Sequence, residues 1–164
     1  MMKACGCDRS GMSIGGAERS NVLRPTVRGG VREACLEEAL AIIEESGVEA
    51  LSLREVSRRL GVSHQAPYRH FTNRDDLLAE LLTRCFEVFA AHLEARPRSD
   101  HPGDDFFAMG EAYLSFAKAH PTRYRLMFST PMPNPEKYPQ MMARARTAFG
   151  LLEQRLAGMP IVPT

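Results

Sequence analysis

Residues 51–71 constrain the fold of this chain more than any other stretch, because they carry the start and stop signals of a short helix. Ser52 and Glu55 have the Ser-x-x-Glu spacing of a capping box, which predicts a helix over residues 53–60. Gly61 predicts where that helix ends, since glycine takes the left-handed conformation without a steric cost. The apolar residues between these signals recur at helical spacing, so one face of the helix should be buried.

A second short helix is expected directly after the glycine. Ser63 is its predicted cap, and the helix should run over residues 64–70. Pro67 falls in the first turn, where the missing backbone N–H is tolerated. Two short helices joined by a tight turn that contains glycine form the helix-turn-helix pattern. The second helix of that pattern usually lies in the major groove of DNA.

The charge of this stretch favours nucleic-acid binding. Residues 51–74 hold five arginines and one glutamate, a formal charge of +4, whereas the whole chain carries +1. The rest of the chain therefore sums to −3. A basic patch on an acidic body suits phosphate binding, because each neutralised phosphate releases counterions. The alternative interpretation is an ordinary solvated pair of helices with an arginine-rich face.

Several short motifs follow one another in a fixed order from residue 31 to residue 82. They are Ser46-Gly47, Gly61-Val62-Ser63, Tyr68-Arg69-His70-Phe71 and Arg74-Asp75-Asp76-Leu77. Together they resemble the amino-terminal domain of the tetracycline-repressor (TetR) family of transcriptional regulators. The resemblance covers roughly a third of the chain. It implies a three-helix DNA-binding domain and double-stranded DNA as the partner.

The expected DNA contacts lie on the second helix and at the starts of its two neighbours. Gln65 can pair with adenine and Arg69 with guanine. The resemblance implies phosphate contacts from Tyr68 and His70 and a backbone anchor at Arg74. The full predicted set is Ser52, Arg54, Ser63, His64, Gln65, Ala66, Tyr68, Arg69, His70 and Arg74.

Two positions in this set leave alternatives open. Ser52 is interpreted either as a helix cap alone or as a cap that also contacts a phosphate. Members of the family often carry Lys and Gly where this chain has His64 and Gln65. That departure indicates a different operator preference.

The remaining patterns predict an all-α protein with three parts. Residues 1–30 should be a flexible leader, residues 31–76 the helix-turn-helix domain, and residues 77–164 a helical ligand-binding and dimerisation domain. The further helices are expected over residues 31–46, 74–95, 104–119, 122–128 and 136–157. The predicted core of the first domain is Leu36, Leu40, Ile43, Leu51, Leu53, Val56, Leu60, Val62 and Phe71.

The second half is rich in methionine and phenylalanine, which suit either an adaptable apolar pocket or an ordinary core. The resemblance implies a pocket for a small apolar effector, and the candidate residues are Met109, Tyr113, Phe116, Met127 and Phe149. It also implies a ligand-responsive repressor that binds a near-palindromic operator as a homodimer. The alternative is a DNA-binding protein whose second half serves assembly alone.

One departure bears on the dimer. Family members usually continue with two more long helices that form the dimer bundle. Here the last predicted helix, residues 136–157, is followed by a short tail. Either that helix forms the dimer, in which case Phe149, Leu152 and Leu156 are expected at the interface and not in the core, or the chain is a truncated form.

Composition narrows the remaining classes of protein. At 44% hydrophobic and 25% charged residues, the chain is typical of a globular protein. We expect no membrane span and no signal peptide, and therefore a cytoplasmic protein. The cysteines are expected to be reduced, although a redox-sensing pair of Cys5 and Cys7 is left open. No cofactor or metal site is expected. An enzyme is not expected either, since His92, His101 and His120 have no evident catalytic partners.

Overall fold

A computed structural model describes residues 30–96 and 98–157, and within them the chain forms six α-helices and two short 3-10 turns. No strand occurs in these residues, and the predicted all-α class is confirmed. The leader, with Cys5 and Cys7, falls outside them apart from its last residue, and so does the tail after residue 157. The helices are α1 Gly30–Ser46, α2 Leu53–Leu60, α3 Arg74–Glu94, α4 Pro102–Ala119, α5 Pro121–Ser129 and α6 Pro139–Ala157.

Helix α3 lies at the centre of the fold. It contacts α1 in the first half of the chain, and α4, α5 and α6 in the second half. Phe86, Phe89 and Leu93 on this helix have no solvent exposure. The buried apolar side chains of both halves form one continuous cluster. The long helix therefore joins the helix-turn-helix segment to the second half through shared core packing.

The predicted core of the first half is largely confirmed. Leu40 and Leu60 are partly buried against the cluster, and Val62 is partly exposed. The six fully buried members are Leu36, Ile43, Leu51, Leu53, Val56 and Phe71.

The predicted limits of α2 are confirmed. The Ser52 Oγ accepts a hydrogen bond from the backbone N–H of Glu55 at 3.1 Å. Gly61 ends the helix at φ 63°, in the left-handed region, and its N–H donates to the carbonyl oxygens of Ser57 and Arg58. The cap and the glycine together satisfy backbone groups that a helix of eight residues would otherwise leave open at its ends.

The prediction of a regular helix over residues 64–70 is wrong. The chain there makes a turn and then a 3-10 turn, Pro67–Arg69. Pro67 has no N–H to donate to the Ser63 carbonyl, which instead accepts from Ala66 N at 2.9 Å. His70 N donates to the Pro67 carbonyl at 2.9 Å with the same three-residue spacing. The Ser63 side chain was expected to cap this helix, but it is the Ser63 backbone carbonyl that accepts a hydrogen bond, from Ala66 N.

Two further helix starts are set by proline. Helix α6 begins at Pro139 and not at Glu136, because a proline inside a helix would lack a backbone bond and clash with the preceding turn. A turn precedes it, in which the Asn134 side chain accepts from Glu136 N at 2.9 Å. Helix α4 begins at Pro102, two residues earlier than expected, since the first helical position tolerates proline.

Aromatic rings fill the centre of the second half. We define the aromatic cluster as seven residues from α3, α4, α5 and α6 whose rings contact one another. The Phe149 ring lies 6.1 Å from Phe86 and 5.9 Å from Phe128, centroid to centroid. Phe149 is therefore partly buried against the core, because α6 packs along α3. Leu152 is also partly buried against the core. The members are Phe86, Phe89, Tyr113, Phe116, Tyr124, Phe128 and Phe149.

A carboxylate connects the start of α6 to the start of α3. The Tyr138 hydroxyl donates to Asp76 Oδ1 at 2.6 Å, and the backbone N–H of Thr72 donates to Asp76 Oδ2 at 3.0 Å. The hydrogen bond from Tyr138 is the main reason that the pKa of Asp76 is lowered from its usual range. The ionised Asp76 carboxylate thus links Thr72, just before α3, to Tyr138, just before α6.

Neither a membrane span nor a metal cluster is evident in the part of the chain that the structure describes. No helix there is both long and apolar enough to cross a bilayer. No group of three or more His, Cys, Asp or Glu side chains there could hold a metal ion.

Candidate nucleic-acid interface

The residues from the start of α2 to the 3-10 turn present a polar, basic surface. Pro67 is buried and fixes this segment to the core. Its neighbours point outward, so most of the predicted DNA contacts are accessible. We call this surface the basic face and define it by the exposed residues Arg54, Ser63, His64, Gln65, Tyr68, Arg69 and His70. Ser52, Ala66 and Arg74 of the predicted set are partly buried.

A shallow cleft of about 370 Å³ brings together residues that are apart in the sequence. Ser52 and Arg54 from the start of α2 line it with His64 from the following turn. Arg58 also lines the cleft, and it was missing from the predicted set. Its helical spacing from Arg54, i to i+4, is the signal that could have found it.

Two aromatic side chains stack on the basic face. The rings of His64 and Tyr68 lie 5.4 Å apart at an interplanar angle of 26°. The Tyr68 side chain is 43% exposed. An imidazole N–H and a phenol O–H are both donors that suit phosphate oxygens.

Ion pairs reduce the charge that the arginines offer. The Arg58 guanidinium forms a two-pronged contact with Glu55, with Nε to Oε2 at 2.8 Å and Nη2 to Oε1 at 2.6 Å. Hydrogen bonds from Arg58 and then Arg59 lower the pKa of Glu55 to about 2, so this carboxylate is ionised. Arg59 also pairs with Glu45 at 2.7 Å. The formal charge of +4 in the sequence therefore overstates the free positive charge.

Arg54 and Arg69 carry the remaining charge. Among the described residues, no carboxylate pairs with either guanidinium, and both side chains are exposed. Guanidinium groups without a partner keep all five N–H donors for a ligand. These two arginines are therefore the strongest cationic positions of the basic face.

Arg74 has an internal role in addition to its predicted one. Its Nε donates to the Leu51 carbonyl at 3.0 Å, and its Nη2 donates to the Val48 carbonyl at 2.8 Å. The side chain thereby ties the start of α3 to the loop ahead of α2. Contact between Arg74 and DNA stays a prediction.

Substitution of Ser52 separates its two proposed roles. The change Ser52→Ala removes the cap and should lower the free energy of unfolding by about 1 kcal/mol. Aspartate caps as well as serine but adds a negative charge, so Ser52→Asp should keep the stability. If Ser52 also contacts a phosphate, Ser52→Asp should weaken DNA binding by about tenfold or more. Urea unfolding and fluorescence anisotropy would measure the two effects; unchanged DNA affinity in Ser52→Asp would leave the cap as its sole role.

The predicted effector residues come together in the second half. Tyr113, Phe116 and Phe149 belong to the aromatic cluster, and Met109 and Met127 are buried in the same core. The Tyr113 hydroxyl lies 3.0 Å from that of Tyr124. Burial raises the pKa of Tyr113 to about 12, with a further contribution from the hydrogen bond to Tyr124. This paired hydroxyl is the polar feature among otherwise apolar candidates.

Comparison with known families agrees with this geometry. The family model of bacterial regulatory proteins of the TetR family matches residues 36–81, which span α2, the 3-10 turn and most of α1. A second model, the tetracyclin repressor-like carboxy-terminal domain, matches residues 106–162. Both halves of the chain thus match models that carry the same family name.

Individual relatives point the same way. An HTH-type transcriptional regulator of Mycobacterium tuberculosis is 32% identical over 107 residues, which are 63% of this chain and 45% of that protein. The class C tetracycline repressor protein of Escherichia coli is 37% identical over 90 residues, 54% of this chain and 38% of that protein. The chain spans less than half of the length of these relatives.

Solved structures share the fold. A protein of unknown function from Rhodococcus sp. RHA1 is 32% identical with a TM-score of 0.63, over 86% of this chain and 75% of that one. The TetR-family regulator PfmR of Thermus thermophilus superposes with a TM-score of 0.60 at 23% identity, over 76% of this chain and 69% of that one. The helix-turn-helix segment, the central α3 and the helical second half are the features of the tetracycline-repressor fold. The chain belongs to the TetR family of transcriptional regulators.

Proposed function

We propose that this protein is a DNA-binding transcriptional repressor and that the basic face is its DNA contact surface. The observation that carries the proposal is the pair of exposed guanidinium groups of Arg54 and Arg69, which lie on either side of the helix-turn-helix turn and have no carboxylate partner among the residues that the structure describes. A segment pinned by the buried Pro67 presents them at a defined position. Arginine can read guanine in the major groove or hold a phosphate.

We propose a homodimer that binds a near-palindromic operator. A single helix-turn-helix makes few contacts, and two such segments spaced by about 34–36 Å read half-sites on one side of the duplex. In this proposal residues 31–76 act as the DNA-binding domain and residues 77–164 supply both assembly and ligand response. The two family models, which match residues 36–81 and 106–162 separately, support this division.

For the ligand response, we propose a small apolar effector at the aromatic cluster. Support comes from the soft, apolar side chains of Met109 and Met127 beside the rings, and from the Tyr113 hydroxyl as an orienting group. Methionine side chains adapt their shape to a ligand more readily than branched ones. An effector seated there would contact α3, the helix shared with the DNA-binding half, and could favour one arrangement of it.

One observation favours a second candidate function, in which the second half serves assembly alone. The rings of the aromatic cluster fill the space between their helices, and Phe89 lies 4.9 Å from Phe116 and 5.6 Å from Tyr113, centroid to centroid. A solid core of this kind leaves little room for an effector unless side chains move.

Selection from a random pool of DNA duplexes tests the DNA-binding proposal. We expect enrichment of one motif with two related half-sites, and binding that weakens steeply as salt rises, because phosphate contacts release counterions. Binding of all duplexes with equal affinity, or no binding at low salt, would refute the proposed function. A motif with a single half-site would keep DNA binding and refute the dimer.

A further inference from the structure

A second cleft, apart from the basic face and from the aromatic cluster, opens on the side of α3 toward α6. Its volume is about 780 Å³, and residues of α1, α3, α5 and α6 line it. Four arginines and two glutamates are among them, so the lining carries a formal charge of +2. Glu33 pairs with Arg84 from outside the lining, so the four arginines face three carboxylates and a net charge of +1 remains.

Three of the four arginines are held by carboxylates. These ion pairs fix the guanidinium groups along the walls and leave part of their donor capacity open, since each guanidinium has five N–H donors. The pairs are Arg32 with Glu80 at 3.1 Å, Arg84 with Glu33 and with Glu80, and Arg144 with Glu87 at 2.9 Å.

Arg123 differs from the other three. Its Nη1 lies 3.9 Å from the Sγ of Cys85, and no carboxylate within the described ranges pairs with it. Sulfur is a weak acceptor. Burial raises the pKa of the Cys85 thiol, so the sulfur carries no charge that would balance the guanidinium. A partly buried cation without a counter-charge is costly, and an anionic ligand would relieve that cost.

We propose that this cleft binds a small organic polyanion, with at least two carboxylate or phosphate groups, and that Arg123 is its anchoring residue. The planar fork of a guanidinium matches both anions with two parallel hydrogen bonds. Arg144 on α6 and Arg32 on α1 line the same cleft and can receive a second anionic group. The Gln140 side chain adds neutral hydrogen-bonding capacity at the same wall.

The position of the cleft gives the ligand a route to the DNA-binding half. Arg32 belongs to α1, which packs against α2, whereas Arg123 and Arg144 belong to the second half. A polyanion that contacts both would favour one arrangement of α1 relative to α3, and this coupling rests on the proposed function. Binding itself does not, because it can be measured without DNA.

Isothermal titration calorimetry of the full chain with citrate, and separately with pyrophosphate, tests the site at constant ionic strength. We expect saturable binding of at least one probe, weakened about tenfold or more by Arg123→Gln, because a charge-assisted bond is lost. Arg125→Gln is the matched control, since Arg125 is exposed on the same helix and does not line the cleft. Binding of citrate alone would assign a carboxylate ligand, and binding of pyrophosphate alone a phosphorylated one.

The outcomes separate this inference from the proposed function. Absence of binding by both probes, or equal weakening by Arg123→Gln and Arg125→Gln, would overturn it. If circular dichroism shows that Arg123→Gln does not fold, Arg144→Gln is used as the test variant in its place. Its control is Arg146→Gln, because Arg146 is exposed on α6 and lies outside the cleft. A chain that binds a probe but selects no DNA motif would keep the anion site and refute the regulator.

Discussion

The double variant Tyr68→Ala, Arg69→Ala should bind its selected DNA duplex about 100-fold more weakly than the unchanged protein, and its preference for that sequence should be weaker. Tyr68 is stacked on His64 and exposed, and Arg69 is a cation with no carboxylate partner in the described residues. Loss of one arginine contact to a base costs about 1–3 kcal/mol, and a phosphate contact is lost with it. Fluorescence anisotropy with the selected and a scrambled duplex would measure both effects.

The salt dependence of the same titrations separates the two contacts. Removal of a phosphate contact lowers the slope of affinity against salt by about one unit and weakens all sequences alike. Removal of a base contact relaxes the preference at one position instead. Arg146→Ala is the control, since Arg146 is exposed on α6 and is not part of the basic face. Unchanged affinity in the double variant would show that the basic face is assigned to the wrong residues.

The second large effect is expected in the core. Phe89→Ala should lower the free energy of unfolding by about 3–5 kcal/mol, because it removes a whole ring from a packed interior. Phe89 has no solvent exposure, and its ring contacts those of Tyr113, Phe116 and Phe128. A loss of that size is a large fraction of the roughly 5–15 kcal/mol that stabilises a typical domain.

Phe107→Ala provides the matched control for this prediction. It makes the same chemical change on α4, but the Phe107 side chain is 72% exposed. Its effect on the free energy of unfolding should stay within about 0.5 kcal/mol. Urea unfolding followed by circular dichroism measures both variants under identical conditions. Equal destabilisation by the two changes would contradict the view that Phe89 is the centre of the second half.

Sequence reasoning succeeded where the determining interactions are local. The cap at Ser52 and the stop at Gly61 act within four residues of their targets, so their spacing alone predicts α2. The long α3 is predicted by its apolar repeat, and in the structure the Asn73 side chain caps it by accepting from Asp76 N at 2.9 Å. Such signals need no knowledge of tertiary structure.

Sequence reasoning failed where the local structure depends on a proline or where a side chain has a partner far away in the sequence. Pro67 and Pro139 each shift the backbone bonding of their segments, and the periodic pattern alone does not show this. Arg59 pairs with Glu45 on α1, and Arg74 donates to carbonyls more than twenty residues earlier in the sequence. Counting charges along one segment cannot reveal which of them are neutralised by another. The sequence therefore predicted which residues lie on the basic face better than it predicted how many of the nearby arginines are neutralised by carboxylates.

The contacts of Asp76 bear on chimeras between this chain and other members of its family. One carboxylate receives hydrogen bonds from Thr72, next to the helix-turn-helix segment, and from Tyr138, at the start of α6. A chimera that joins residues 31–76 to the second half of another family member would keep the carboxylate but exchange its tyrosine donor. Productive chimeras should therefore carry a hydroxyl donor at the position equivalent to Tyr138.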